Sequence, residues 1–227
     1  MEIDAPEWEQ ILREGAGALG VELSDLQVSQ FRLYGRLLVE ANRNLNLTAI
    51  TNAQDLALLH FVDCLAAVPL VADASGLLDL GTGAGFPGLV VKIALPGLAV
   101  TLVDSVRKKV SFLSHVIGTL GIRQVSAVHG RAQELARQKD FAHCFDVVTA
   151  RAVTDLSGLW RLAWPFLSDH GALIAMKGRE VEKEIHDLES LRPATGSQGF
   201  CVDVFPYTLP VIHAGRHMVR MRPSGPV

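Results

Sequence analysis

The sequence predicts an α/β fold: a doubly wound, mostly parallel seven-stranded sheet with an N-terminal helical extension. From residue 77 onward, short β-rich runs alternate with helical runs, which is typical of parallel strands joined by crossover helices. Before about residue 72, apolar residues recur at helical spacing instead. Of the 227 residues, 49% are hydrophobic and 20% are charged, which is enough for a sizeable buried core. The expected division is therefore a helical extension over residues 1–72 and a sheet domain over residues 73–227.

Three helices are expected in the extension. The apolar positions that mark them are Leu12 and Leu19, then Leu26, Phe31, Tyr34, Leu37 and Leu38, then Leu56, Leu59, Phe61, Val62 and Leu65. Ser24 lies three residues before Gln27, a spacing typical of a capping box at the start of the second helix. The asparagine-rich run over residues 42–48 is too polar to continue that helix, so an ordered loop is expected there.

Seven strands are expected in the sheet domain, with helices between them centred near residues 92, 113, 134, 161 and 185. The strands are Leu77–Leu80, Val100–Asp104, Val125–His129, Asp146–Ala150, Ala172–Met176, Cys201–Tyr207 and His217–Met221. No helix separates the last two strands. They are therefore expected to form an antiparallel hairpin at one edge of the sheet, where Pro206 and Pro210 are tolerated.

Charge and cysteine content narrow the class of protein. The net charge is −3, but residues 1–70 hold 4 Lys/Arg against 10 Asp/Glu, whereas residues 71–227 hold 17 against 14 and are mildly basic. The three cysteines, Cys64, Cys144 and Cys201, have no CxxC spacing, so neither disulfides nor a metal site is expected. A cytoplasmic location is therefore expected. No apolar run reaches 18 residues, so no membrane span is expected.

The first strand leads into a glycine-rich run that is typical of a loop for a nucleotide cofactor. Gly83, Gly85 and Gly88 fit the G-x-G-x-x-G spacing, although that pattern alone has low specificity. A dinucleotide such as NAD places its pyrophosphate on the following helix N-terminus, and a carboxylate at Asp79 would repel it. S-adenosylmethionine (SAM), which carries a positive charge and no phosphate, tolerates that carboxylate. SAM is therefore the favoured cofactor, with NAD and a simple packing turn left as alternatives.

The ends of the other strands supply further candidates. Asp104 is a candidate for binding the ribose hydroxyls, or alternatively for complementing the dipole of the helix that follows. The run containing Ala132 and Gln133 is a candidate for reading the adenine edge, or alternatively a plain helix start. The fourth and fifth strands end at Arg151 and Lys177, which suit an anion or an electron-rich purine edge. Each of these two cations has the alternative of a surface ion pair with a neighbouring carboxylate.

Basic residues near the same edge are candidates for contacting RNA phosphate. Arg107, Lys108 and Lys109 open a helix, where positive charge opposes the dipole and calls for a negative partner, either Asp104 or phosphate. Arg131 and Arg216 complete the RNA-binding set that we expect. On the third helix, His60 and Asp63 are expected to make a polar contact with the sheet domain.

Several of these runs together closely resemble the RsmG (GidB) family of bacterial 16S rRNA guanine-N7 methyltransferases. The runs are Asp79–Gly88, Asn46-Leu47-Thr48, Asp104-Ser105 before Arg107-Lys108-Lys109, Arg151-Ala152, Lys177-Gly178 and Arg216-His217. The likeness extends from about residue 25 to 222. It implies a class I SAM-dependent methyltransferase fold and methylation of guanine 527 in the 530 loop of 16S rRNA. The expected partner is 16S rRNA or the 30S subunit, and the expected state is a monomer.

The resemblance also implies a set of site residues. By resemblance, the cofactor contacts are expected at Gly81, Phe86, Asp104, Ser105, Ala132, Gln133 and Arg151; the glycine-loop pattern itself adds Asp79 and Gly83 to the expected set. Many family members carry Glu where this chain has Gln133, but a contact through the backbone is unaffected by that difference. Arg151 is expected to position the guanine, with Lys177 assisting at O6 or at a phosphate. The alternative functions are an NAD-dependent oxidoreductase and a SAM-binding regulator without catalysis.

Overall fold

A computed structural model describes residues 2–151, 153–178, 181–190 and 199–224. The extension contains α1 (Pro6–Ala18), α2 (Asp25–Leu45), α3 (Ala53–Asp55), a π-helix (Leu56–Val62), α4 (Asp63–Leu65) and α5 (Val68–Val71). The strands are β1 (Gly76–Leu80), β2 (Ala99–Asp104), β3 (Val125–His129), β4 (Phe145–Arg151), β5 (Leu167–Lys177), β6 (Phe200–Leu209) and β7 (Ala214–Pro223). Between them lie α6 (Gly88–Ala94), α7 (Arg107–Leu120), α8 (Ala132–Leu135), α9 (Leu156–Ala163), a 3₁₀ turn (Trp164–Phe166) and α10 (Glu182–Ser190).

The seven strands form one sheet in the order β3-β2-β1-β4-β5-β7-β6. The first five pair in parallel, and β7 pairs antiparallel with both β5 and β6. The predicted mostly parallel sheet with an antiparallel hairpin at one edge is therefore confirmed. In this register His217 lies opposite Lys177, so the start of β7 joins the carboxyl ends of the parallel strands along one edge.

Helix α2 is longer than the sequence predicted. The capping box at its start is confirmed, because Ser24 accepts from the Gln27 N–H while the Gln27 side chain accepts from the Ser24 N–H. The prediction that the asparagine-rich run leaves the helix at residue 42 is wrong, since α2 continues to Leu45 and ends at Asn46 in the left-handed region (φ 50°). Asn42 explains the difference: its side chain bonds to the backbone of the loop that follows, while its own backbone remains helical.

The third predicted helix contains an irregularity that the apolar pattern did not indicate. Its central turns, Leu56–Val62, form a π-helix, and the Asp63 N–H donates to the Leu58 carbonyl five residues back. By length and composition the helix over Ala53–Val71 is apolar enough to cross a membrane, with a mean hydropathy of 1.5. However, 67% of that apolar window is buried within the fold, as in the core helix of a globular protein.

The hydrophobic core continues from the extension into the sheet. One cluster joins Phe31 and Phe61 of the extension to Leu89 and Leu102 of the sheet domain, and a second cluster covers the opposite face of the sheet. Both faces of the central strands are thus covered, which explains why β1 and β4 are apolar at consecutive positions. The proposed boundary between residues 72 and 73 stays a prediction, and the first of these clusters crosses it.

Candidate active site

The glycine-rich loop between β1 and α6 is held by hydrogen bonds from its backbone N–H groups, two of them to the end of β2 and two within the loop. Thr82 donates its N–H to the Val103 carbonyl, Gly83 donates to the Asp104 carboxylate, and Gly85 and Phe86 both donate to the Thr82 carbonyl. Gly85 adopts φ +109°, a conformation that side chains rarely allow. These N–H groups already have protein acceptors, so they are not free to bind a pyrophosphate.

Asp79 lies fully buried beneath this loop. Its carboxylate accepts from the Gly88 N–H at 2.9 Å and from the Thr149 hydroxyl at 2.9 Å. Burial raises the pKa of Asp79 to about 6, against the opposing effect of these hydrogen bonds. A Cβ at Gly88 would lie 2.6 Å from the Asp79 Cβ and 2.6 Å from Leu102 Cδ2, so only glycine fits there.

A direct contact between Asp79 and the cofactor is not supported by this geometry, because Asp79 is fully buried, and it stays a prediction. Its effect on cofactor choice is still supported by the geometry. The Asp79 carboxylate accepts a hydrogen bond from the Gly88 N–H at the start of α6. In a dinucleotide-binding fold, the N–H groups at this helix start bind the phosphates.

A cleft of about 580 Å³ lies beside the loop, along the carboxyl ends of β1, β2 and β3. It brings together five of the predicted cofactor residues, which are Gly81, Asp104, Ser105, Ala132 and Gln133. Two of the predicted RNA-binding residues, Lys109 and Arg131, also line it. The sequence therefore predicted much of the lining of this cleft.

The position of Asp104 is compatible with both of the interpretations left open by the sequence, and its contact with ribose stays a prediction. It lines the cleft, and its carboxylate also holds the turn before α7 by accepting from the Val106 N–H at 2.8 Å. The Lys109 ammonium lies 3.8 Å from the same carboxylate. The expected negative partner for the basic start of α7 is therefore Asp104, at least for Lys109.

Phe86 faces the helical extension, although it was predicted to contact the cofactor. Its ring is 5% exposed and stacks on His60, with ring centroids 4.3 Å apart and planes 14° apart. The Tyr34 ring also stacks on Phe86, with ring centroids 5.7 Å apart, and its hydroxyl donates to the Ala84 carbonyl of the glycine loop. A direct contact between the Phe86 ring and a ligand in the cleft is not supported, because the ring is buried on the other side of the loop.

Arg151 ends β4 and is held by the π-helix. Its guanidinium donates to the Leu59 carbonyl at 3.0 Å and to His60 Nδ1 at 2.7 Å, and it lies 3.6 Å from the Asp63 carboxylate. Its Cζ sits 5.0 Å from the centre of the Phe86 ring. The predicted polar contact of His60 and Asp63 with the sheet domain is thus confirmed.

Asp63 gathers two further partners from the antiparallel hairpin. The Tyr207 hydroxyl donates to it at 2.7 Å, and Arg216 Nε lies 3.7 Å away. Burial raises the pKa of Asp63, while Tyr207 and the arginines oppose the shift. Arg216, predicted to contact RNA, is therefore engaged in an internal ion pair. Its strand, β7, is the fourth strand along the sheet from β2, which leads into α7.

Lys177 is likewise engaged within the fold. Its ammonium lies 2.7 Å from the Glu184 carboxylate on α10 and donates to the Thr154 carbonyl at 2.8 Å. This geometry favours the ion-pair alternative over a contact with the purine. Of the predicted RNA-binding set, Arg107, Lys108 and Arg131 are the exposed members, and Lys109 and Arg216 are half-buried.

Sequence reasoning missed two contributions from the extension. The Leu59 carbonyl that accepts from Arg151 lies in the π-helix, and no side-chain pattern indicates a π-turn. Tyr34 was expected only as a core position, although a buried tyrosine requires a partner for its hydroxyl. Both contacts join residues at least 50 positions apart.

The lining of the cleft fits SAM by its chemistry. A carboxylate at the end of β2 suits ribose hydroxyls and a cationic cofactor, and the glycine at position 81 leaves the backbone accessible. Within the described residues, no three His, Cys, Asp or Glu side chains are arranged to hold a metal ion.

Fold and cleft together define a class I SAM-dependent methyltransferase. The O-methyltransferase of Bacillus cereus, solved with S-adenosylhomocysteine, superposes with a TM-score of 0.55 at 14% identity, covering 84% of this chain and 90% of that chain. TomG of Streptomyces achromogenes, solved with SAM, gives a TM-score of 0.57 at 12% identity over 90% and 92% of the two chains. At such identities the likeness concerns the fold alone.

Sequence comparison identifies the family. The model of rRNA small subunit methyltransferase G (GidB) matches residues 27–204. Ribosomal RNA small subunit methyltransferase G of Leuconostoc citreum is 42% identical over 195 residues, covering 84% of this chain and 81% of the relative. The protein of that name from Thermoanaerobacter sp. is 38% identical over 212 residues, covering 92% and 88%. The chain belongs to this family, which confirms the predicted methyltransferase class and SAM as cofactor.

Proposed function

We propose that this enzyme transfers the methyl group of SAM to N7 of guanine 527 in the 530 loop of 16S rRNA, acting as a cytoplasmic monomer on the rRNA or the 30S subunit. The observation that carries the proposal is the chemistry at the ends of β4 and β5. These strands end in Arg151 and Lys177, and neither an Asn-Pro-Pro-Tyr run for an exocyclic amine nor a Pro-Cys nucleophile for a pyrimidine is present.

Guanine N7 carries an in-plane lone pair at neutral pH, so it attacks a methyl group without first losing a proton. SAM, when bound, supplies the electrophilic methyl group. Asp104, Gly81 and Ser105 are proposed to hold the cofactor, together with Ala132 and Gln133. Catalysis then consists mainly of alignment, and near-attack geometry is worth about 7–11 kcal/mol of effective molarity.

The surroundings of Arg151 support a mechanism without a general base. His60 Nδ1 already accepts from Arg151, Asp63 is surrounded by cations and Tyr207, and Asp79 is sealed beneath the loop. None of these groups is free to accept a proton from a substrate. We propose that the remaining guanidinium N–H groups of Arg151 orient the nucleotide, and that Lys177 acts indirectly by anchoring α10.

The test is to map N7-methylguanosine in 16S rRNA from a strain that lacks this gene, with and without the gene restored. Loss of the modification at guanine 527 alone, and its return on restoration, is expected. An unchanged modification pattern would refute the proposed substrate. Supplying purified enzyme with naked 16S rRNA or with 30S particles then identifies the form of the substrate.

The mechanism is tested by single-turnover methylation with Arg151→Lys and Arg151→Ala. Lysine keeps the charge but cannot bond to Leu59 and His60 in the same fork, so both variants are expected to be similarly slow. The wild-type rate should be flat between about pH 6 and pH 9. A rising limb that disappears on mutating Asp63 or His60 would identify a base and contradict this mechanism.

A further inference from the structure

The loop formed by Asn46, Leu47 and Thr48 contacts Arg151 indirectly, and the proposed mechanism does not use it. Thr48 is half-buried, and its hydroxyl oxygen lies 2.7 Å from His60 Nε2 and 3.0 Å from the Ile50 backbone nitrogen. Both neighbours meet the same oxygen atom. Whether the Thr48 hydroxyl donates or accepts therefore depends on which nitrogen of His60 carries the proton.

Arg151 determines where the proton of His60 resides. A guanidinium has only donors, so the 2.7 Å contact requires His60 Nδ1 to accept. Burial, reinforced by Arg151, lowers the pKa of His60 to about 3, so the ring is neutral at physiological pH. Its single proton is then on Nε2, and that N–H donates to Thr48 Oγ1.

Thr48 Oγ1 thus accepts two hydrogen bonds, one from His60 and one from the Ile50 N–H, which use both lone pairs of the hydroxyl. Its own hydrogen is left to donate to a third partner. Thr48 also lines a cavity of about 390 Å³ whose wall includes Asn46 and Arg43. Arg43 is exposed on that wall, so an anionic or polar occupant is favoured.

We propose that Thr48 is a substrate-binding residue: its hydroxyl donates a hydrogen bond to an oxygen atom of an rRNA nucleotide in this cavity. This inference rests on the proposed function, which supplies the RNA. A nucleotide offers carbonyl, ribose and phosphate oxygens as acceptors, and the adjacent Arg43 suits its phosphate. Because His60 and Ile50 fix the hydroxyl in advance, little ordering is required when the RNA binds.

The first measurement compares the KM for the rRNA substrate among Thr48 variants, with the Kd for SAM measured by calorimetry. Thr48→Val is expected to raise this KM about 3- to 10-fold, the loss of one hydrogen bond, and to leave SAM binding unchanged. Thr48→Ser keeps the O–H and should remain within about twofold of wild type. Thr119→Val, on the exposed surface of α7, is the matched control.

Valine also removes the acceptor of His60, so a second comparison separates the two effects. In a His60→Leu background, Thr48 no longer acts on Arg151, and Thr48→Val should still raise the KM for RNA several-fold. If Thr48→Val leaves that KM unchanged in this background, the residue acts only through His60 and the proposal is overturned. If His60→Leu does not fold, His60→Phe replaces it, because phenylalanine keeps a ring to stack on Phe86 and has no hydrogen-bonding atoms.

The two proposals fail in different ways. A wild-type enzyme that leaves guanine N7 unmethylated refutes the proposed function. A wild-type enzyme that methylates it, with the same KM for RNA as Thr48→Val, refutes only the role of Thr48.

Discussion

Asp79 makes the stability of the glycine loop depend on pH. Burial raises its pKa to about 6 in the folded chain, above the value of about 3.9 for an unfolded aspartate. The native state therefore binds this proton more tightly than the unfolded state does. As pH rises from about 4 to 6, the contribution of Asp79 to the free energy of unfolding falls, by about 3 kcal/mol in total.

Asp79→Asn removes this titration while keeping an oxygen that can accept from Gly88. We therefore expect the difference in free energy of unfolding between wild type and variant to shift by about 3 kcal/mol against wild type between about pH 4 and pH 7. Urea denaturation at a series of pH values measures it. A difference that is constant over this range would contradict the raised pKa.

Asp104 lines the cofactor cleft and also accepts a hydrogen bond from Gly83 of the glycine loop. Asp104→Ala removes charge-assisted hydrogen bonds worth about 1.5–3 kcal/mol, so SAM affinity is expected to fall roughly 10- to 150-fold. Asp104→Asn keeps one acceptor oxygen and should fall between alanine and wild type. Calorimetry on folded variants provides the measurement, and an unchanged Kd would leave Asp104 with only its role in the turn before α7.

Helix α2 contacts the cofactor loop at one point and the back of the sheet domain at another. Tyr34 donates to the Ala84 carbonyl within the loop, whereas Gln27 donates to the Ile93 and Ala94 carbonyls at the end of α6. Both contacts stabilise the docking of the same helix. Only the Tyr34 contact involves the cofactor loop itself.

Tyr34→Phe is therefore expected to lower the free energy of unfolding by about 1–2 kcal/mol and to weaken SAM binding as well. Gln27→Ala is the matched control, with a comparable loss of stability and an unchanged Kd for SAM. Thermal unfolding with and without SAM separates the two effects. Equal SAM affinity in the two variants would show that the extension does not shape the loop.

Most helices and strands could be predicted from the sequence, but fewer of the contacts between them could. The alternation of β-rich and helical runs placed each parallel strand to within one residue at either end, except that β5 begins five residues before its predicted start, at Leu167. The end of α2 was misplaced because an asparagine inside a helix can cap the loop after it. The π-helix carries no side-chain signature, so the support of Arg151 by the Leu59 carbonyl had no local signal.

Over the whole molecule, the extension and the sheet domain share the buried network at Arg151. Arg151 of β4 contacts His60 of the π-helix and the Phe86 ring of the glycine loop. Asp63, which directly follows the π-helix, pairs with both Arg151 and Arg216 of the hairpin. The cleft could be predicted from the residues at the strand ends, because the carboxyl ends of parallel strands meet at one edge of the sheet. The burial of Phe86 and the pairing of Arg216 depend on contacts across the chain, which spacing alone does not indicate.

The distribution of paired and exposed cations predicts how RNA binding depends on salt. Five predicted phosphate contacts would give a log–log salt slope of about −3.5 on single-stranded RNA, at about 0.7 per contact. Because Lys109 and Arg216 pair internally with Asp104 and Asp63, we expect Arg107, Lys108 and Arg131 to give a slope of about −2, to which the phosphate contact proposed for Arg43 adds about −0.7.

Alanine at any of these three exposed residues should reduce the slope by about 0.7, whereas Lys109→Ala and Arg216→Ala should leave the slope unchanged and lower the stability of the fold. Filter binding of a 16S rRNA fragment from about 50 to 200 mM salt measures the slope. An equal reduction in all five variants would show that both ion pairs open on RNA binding. A slope near zero would show that the basic start of α7 does not contact phosphate.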